Sequence, residues 1–255
     1  MVTSHLIVAG EALGGRTQAC ADLISQMHCS TPARVLDVGC GDGASTALLA
    51  ERWPHAEIVG IDTSRDSLTR AKQSFPGAEW ILGDVRNWFS VEGYDVIVAS
   101  GTMQWIPEHD LLFPKLVSEL HRGGVLGVQM PYIAGTPVEA CLREVAGWYR
   151  WVDRFPVNRP YSNVRDPGSY YDILKPYSTN TRIWITDYIR VLSTPSDVMD
   201  MVSSSAVAPF LKLLDENERK EFTSRFQRKL AEAYPPQHDG KILFPSRRLF
   251  VVASR

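Results

Sequence analysis

The densest chemical signal in the chain is Asp37-Val38-Gly39-Cys40-Gly41-Asp42-Gly43. Glycines at the end of a strand let the backbone turn sharply and approach a ligand without interference from a Cβ. Two chemistries share this pattern. Gly39-x-Gly41-x-x-Ala44 satisfies the relaxed dinucleotide fingerprint, and Asp62 stands where a ribose-binding acid belongs in either reading. Asp37, two residues before the first glycine, would repel a pyrophosphate but not a cationic or zwitterionic ligand. Gly83-Asp84-Val85-Arg86 adds a carboxylate suited to an adenine amino group. A dehydrogenase also needs a second mononucleotide-binding half, and none is visible.

These residues need elements to hold them. Ala33 to Val38, Glu57 to Asp62, Trp80 to Leu82, Tyr94 to Ala99 and Val125 to Met130 read as short buried strands. Helical patterns lie between them: Ala44 to about Trp53, Ser64 to Phe75, and about Asp110 to Leu120. Later, Arg182 to Val191 alternates as a strand, and Arg248 to Ala253 closes the chain as another. The expectation is an α/β fold: a doubly wound, seven-stranded, mostly parallel, Rossmann-like sheet with its last strand antiparallel. The segments at about 131–165 and 193–240 are surplus to that sheet and predict a helical cap. The core then takes about 30–130, 166–192 and 241–255, within one domain spanning 1–255.

The composition excludes several alternatives. Against 29 acidic residues the chain has 27 basic ones, a net charge of −2, so phosphate contacts to nucleic acid are not expected. No apolar run approaches the roughly 18–20 residues that span a bilayer, so no membrane partner is expected. Met1 to His5 has no basic start followed by an apolar core, which predicts a cytoplasmic protein without a signal peptide. Cys20, Cys29, Cys40 and Cys141 are scattered, with no spacing that suggests a metal site.

The ordered set of glycine loop, acid after the second strand and Gly-Asp after the third resembles the class I S-adenosylmethionine-dependent methyltransferases. Carried over, the resemblance implies that Asp37, Gly39, Cys40 and Gly41 hold the methionine part, Asp62 the ribose, and Asp84 and Val85 the adenine. Arg16, Thr63, Ser100 and Trp105 complete the cofactor set. Ser100 to His109 is similar to the S-L-Q-W-x-P-D-H stretch of the trans-aconitate 2-methyltransferases. Similarity to that family continues through Arg86-Asn87-Trp88, Leu126 to Pro131, Arg143 to Ala146, Tyr170 to Leu174 and Arg248 to Ala253. The chain departs from the family at three places. The aromatic residues usual near the amino terminus are missing from Leu6 to Ala19. Ala208 replaces an arginine, and Arg190 follows Tyr188 where a histidine is common.

The resemblance implies methyl transfer to a small, acidic substrate, most simply a carboxylate giving a methyl ester. A carboxylate is ionised at neutral pH and needs no general base, only groups that orient it. Arg190, Tyr188 and Gln104 are expected in that role, with Arg16, Arg143, Arg247 and Arg248 as further cations and Tyr170 and Tyr171 as further partners. His109 would be a general base if the nucleophile were a hydroxyl or an amine, although it also suits the start of a helix. Two other functions remain open: O-, N- or C-methylation of a natural-product intermediate, and a cofactor-binding fold that has lost methyl transfer.

Overall fold

The computed structural model describes residues 3–8, 15–148, 150–151, 154–155 and 163–255, with side chains from residue 17 onward except 204 and 205. Its centre is a sheet of eight strands, β1 (Thr3–Val8), β2 (Arg34–Val38), β3 (Glu57–Asp62), β4 (Glu79–Leu82), β5 (Tyr94–Ser100), β6 (Leu120–Pro131), β7 (Asn180–Leu192) and β8 (Ile242–Ser254). Their spatial order is β1-β7-β8-β6-β5-β2-β3-β4. β8 runs antiparallel to both neighbours, and every other pairing is parallel.

The seven expected strands are all present. Beyond them, β1 pairs with β7 at the edge, from Thr3 opposite Trp184 to Val8 opposite Ile189. β6 begins at Leu120, where the preceding helix was expected to end, and accommodates Gly123-Gly124 through a register irregularity against β5. Helices α1 (Gly15–Ser25), α2 (Ala44–Arg52), α3 (Arg65–Ser74), α4 (His109–Ser118) and α6 (Pro167–Leu174) accompany the sheet. The start of α3 shows why the chain turns helical there, since Ser64 Oγ accepts the Ser67 amide at 3.2 Å and Asp66 sits in the first turn.

Central strands are buried on both faces. On one face Val35, Val96, Val98, Val125 and Phe250 pack with Ala19 and Leu23 of α1 and Leu49 of α2. On the other, Leu36, Ile97, Leu126 and Val251 pack with Leu112, Phe113 and Leu116 of α4 and Tyr170 and Leu174 of α6. A third core gathers α5 (Pro137–Ala146), α7 (Pro195–Val202) and α9 (Glu216–Ala233) around Trp151, Phe210, Phe222 and Phe226, and it takes Ile242 and Phe244 from β8. Between α7 and α9 the chain forms a π-helical turn, Ser203–Val207, and the short α8 (Ala208–Leu211). Part of the first cap segment, residues 149, 152–153 and 156–162, lies outside the described residues. Among those described, no helix is long and apolar enough to cross a membrane.

The order of the sheet reverses between β2 and β5. From β2 the chain proceeds outward to β3 and β4; from β5 it proceeds the other way to β6. Their loops diverge at that switch point and leave a crevice at the carboxyl ends of the strands.

Candidate active site

Two adjoining clefts open at this crevice, of about 470 and 460 Å³. They share Gly39, Gly101 and Trp105, from the loops after β2 and β5. The backbone explains the glycine at 39: φ is +67°, and a Cβ there would lie 1.8 Å from Thr102 Oγ1. Thr102 Oγ1 in turn donates to the Gly39 carbonyl at 3.2 Å, locking the two loops together. Gly41, at φ +57°, has nothing within 4 Å of where its Cβ would be, so its backbone faces open space.

Asp62, at the end of β3, secures the loop. Its Oδ2 accepts the Gly41 amide at 2.9 Å and its Oδ1 accepts the Ser64 amide at 2.8 Å. The carboxylate also lines the smaller cleft with Thr63, Asp84 and Val85. Asp84 is gripped by the Arg86 guanidinium, whose Nε and Nη2 reach both carboxylate oxygens, and this holds its pKa below the usual carboxylate range.

Asp37 lies behind the loop and is fully buried. Its Oδ2 accepts hydrogen bonds from Thr46 Oγ1 at 2.6 Å and Ser45 Oγ at 2.7 Å, both in the first turn of α2. Burial pushes its pKa from 3.8 up to about 6, against the pull of those hydroxyls. Asp37 Oδ1 has no hydrogen-bond partner among the described residues, and neither do the buried Oε1 atoms of Gln104 and Gln129. All three are acceptors. Of the three, Gln104 lines the larger cleft, and a ligand that meets its Oε1 in front of the buried Asp37 brings a donor and positive charge, as an ammonium–sulfonium ligand does and a pyrophosphate does not.

The larger cleft joins the glycine loop to distant parts of the chain. Cys40, Gly41 and Ser45 line it with Ser100, Gln104 and Trp105. So do Thr17 of α1, Arg248 of β8, and Asp200 and Met201 of α7. Gln104 is held by its amide, which donates to the Gly101 carbonyl at 2.6 Å. Ser100 Oγ accepts from Gln129 Nε2 at 2.9 Å. Burial raises the Cys20 thiol to about 12 and the Cys40 thiol above its ordinary range, so neither is a nucleophile near neutral pH.

Nine of the residues expected around the cofactor therefore line the two clefts: Gly39, Cys40, Gly41, Asp62, Thr63, Asp84, Val85, Ser100 and Trp105. Asp37 stands just behind them, and the Arg16 side chain lies outside the described residues. Of the expected catalytic set, Gln104 is in the cleft. Arg190 shares a sheet face with Arg248, because Arg248 pairs with Thr186 and alternate residues point the same way. Arg190 Nε is buried without a hydrogen-bond partner among the described residues, but the side chain is not among those lining either cleft.

Two expectations are corrected. His109 is 1% exposed and opens α4, with Nε2 2.9 Å from the Met103 carbonyl and Nδ1 2.7 Å from Tyr170 Oη. A carbonyl only accepts, so Nε2 carries the proton and Nδ1 receives the tyrosine hydroxyl. Both nitrogens are spent, and His109 secures the Met103–Trp105 turn instead of meeting a substrate. Tyr188 is also buried, and its hydroxyl donates to Asp22 Oδ2 at 2.5 Å, tying β7 to α1. Among the other cations, Arg143 pairs with Glu139 at 2.7 Å and Arg247 grips Asp187 with two bonds of 2.8 and 2.9 Å. Thr17, Asp200 and Met201 carried no motif in the sequence; only the fold brings them to the glycine loop.

Comparison with known proteins agrees with this geometry. Residues 35–124 match a family model described as "Methyltransferase domain". The trans-aconitate 2-methyltransferase of Azoarcus sp. (strain BH72) is 38% identical over 240 residues, 94% of each chain. That of Escherichia coli K12 is 38% identical over 94% of this chain and 93% of its own length. Among solved structures, the YcgJ protein of Bacillus subtilis superposes with a TM-score of 0.62 at 13% identity, over 93% of this chain and 98% of the other. A phosphoethanolamine N-methyltransferase of Haemonchus contortus superposes at 0.55 and 15% identity, over 94% of this chain and 52% of its own. The chain belongs to the trans-aconitate 2-methyltransferase family of methyltransferases.

Proposed function

We propose that this protein transfers the methyl group of S-adenosylmethionine to a carboxylate of a small organic acid, giving a methyl ester. The observation that carries this reading is the position of Arg248 in the same cleft as Gly41, Ser45 and Gln104, where Gln104 offers an unsatisfied acceptor and the buried Asp37 lies behind the glycine loop. One wall suits a cation and the other offers a guanidinium, as methyl transfer from a sulfonium to a carboxylate requires. When bound, the cofactor supplies an electrophilic methyl on sulfur.

The chain's own residues bind and align. Asp62 accepts from the ribose hydroxyls while retaining the Gly41 and Ser64 amides, since each oxygen has a second lone pair. Asp84 and the Val85 backbone meet the adenine edge. Asp37 and Gln104 favour the positively charged end. Arg248, and behind it Arg190, orient the acid, whose nucleophilic oxygen arrives already ionised. In this reading, alignment and exclusion of water carry the rate.

We assign the α5, α7 and α9 region, about 131–165 and 193–240, as a cap on the single domain, covering the substrate through Asp200 and Met201. Trans-aconitate is the first acid to test, because relatives of this similarity carry its name. The changes at Ala208 and Arg190 make related acids the second choice. A cytoplasmic setting and freedom from nucleic acid complete the reading.

The test is incubation with methyl-labelled cofactor and a panel of acids, alcohols and amines. Label on an acid that mild base removes supports the proposal; base-stable label on alcohols or amines alone overturns it.

A further inference from the structure

Lys115 lies on α4 outside both clefts, yet its ammonium is directed into the protein. Nζ donates to the Val85 carbonyl at 2.6 Å and to the Trp88 carbonyl, and it stands 4.3 Å from the centroid of the Phe89 ring. Three N–H groups thus meet two carbonyls and a π face, all within one loop.

That loop follows β4 and carries Asp84 and Val85 to the smaller cleft. Some of its other ties are local, the Asn87 amide to the Asp84 carbonyl at 3.0 Å and the Arg86 amide to Asp84 Oδ1 at 2.9 Å, while its ends are held by the Gly83 amide on the Asp62 carbonyl at 3.0 Å and the Ser90 amide on Glu119 Oε2 at 3.0 Å. Between those ends, Val85 and Trp88 pack against the core, but their carbonyls need donors. Lys115 supplies them and ties the middle of the loop to α4, which is fixed by Leu112, Phe113 and Leu116 in the core. Burying part of a lysine ammonium is unfavourable, and burial indeed lowers the Lys115 pKa. The positive charge also helps to keep Asp84 ionised and therefore an acceptor.

We propose that Lys115 is a positioning residue for the adenine end of the cofactor, fixing Asp84 and Val85 through the Val85 and Trp88 carbonyls. The proposal rests on the cofactor assignment above. It assigns to α4 a part in reading the adenine amino group, although α4 itself never touches the ligand.

The test compares the affinity of the whole protein for S-adenosylhomocysteine and for S-inosylhomocysteine, in which a carbonyl replaces the adenine amino group. The wild type should prefer the adenosyl compound by about tenfold, the worth of one hydrogen bond to a charged acceptor. Lys115→Met keeps the length of the stem; it should weaken adenosyl binding by about tenfold, bring the preference close to one, and leave kcat at saturating cofactor within about twofold. Should Lys115→Met not fold, Lys115→Gln is read in the same way. Equal loss for both ligands, or an unchanged preference, overturns the proposal. A wild type that binds neither compound refutes the cofactor assignment instead.

Discussion

Replacing Asp62 by alanine separates cofactor binding from folding. The carboxylate has two tasks, holding the Gly41 and Ser64 amides at 2.9 and 2.8 Å and lining the cleft. The amides lie in a part-buried turn that water reaches after truncation, so the loss of stability is about 1 kcal/mol, a fall in Tm of about 2–4 °C at this chain length. The ligand loses more. Two hydroxyl bonds to a carboxylate are worth about 1–1.5 kcal/mol each in a half-exposed site, about 2–3 kcal/mol together. At 1.4 kcal/mol per tenfold, the dissociation constant for S-adenosylhomocysteine rises roughly 30- to 150-fold. Isothermal titration alongside thermal unfolding provides the assay. A dissociation constant within about threefold of wild type, with the Tm nearly unchanged, would refute the ribose assignment. Collapse of the fold would show that the loop, not the ligand, is the main client of Asp62.

Three further outcomes are expected. A cationic ligand beside Asp37 favours its ionised form and draws down a pKa that stands at about 6 in the free protein, so affinity weakens as pH falls through about 6. It does so by up to about tenfold per pH unit, and titration of Asp37→Asn should show no such dependence in that window. His109→Gln should lower stability by about 2–4 kcal/mol in denaturant unfolding, since it strips partners from the buried Tyr170 hydroxyl and the Met103 carbonyl, while kcat survives. Because burial depresses the His109 pKa below 6.5, the unfolded chain binds the extra proton more tightly; His109 contributes stability above about pH 6.5 that is lost as pH falls, and His109→Gln removes that part of the pH dependence. Arg190→Ala should raise the KM for the acid by about tenfold and leave cofactor affinity intact; an unaltered KM would count against it.

What was legible in the sequence was local. β2 and β5 announce themselves because central parallel strands are buried on both faces and must be apolar throughout. The glycine loop is equally plain, because its backbone geometry and ligand-facing atoms lie within a few residues. β1 was not legible: Thr3-Ser4-His5-Leu6-Ile7-Val8 has a single neighbouring strand, and only pairing with β7 gives it an address. His109 shows the same limit at the site. Its place at the start of α4 was legible, but the conditional role of a base fell only when Tyr170, 61 residues away, was seen to occupy its second nitrogen. Asp200 and Met201 reach the cleft through the third core, and neither periodicity nor motif marks them. Arg248 and Arg190 were visible as cations, but their common face follows only from the register of β7 on β8.

The central claim is that the nucleophile arrives ionised and that no residue must remove a proton from it. No histidine is among the described residues lining either cleft. The most direct measurement is kcat at saturating cofactor and acid from about pH 7 to about pH 9, well above any carboxylate pKa. The account predicts a flat profile. A logarithmic rise of about one per pH unit across that range would mean that a proton leaves before methyl transfer, and would contradict it.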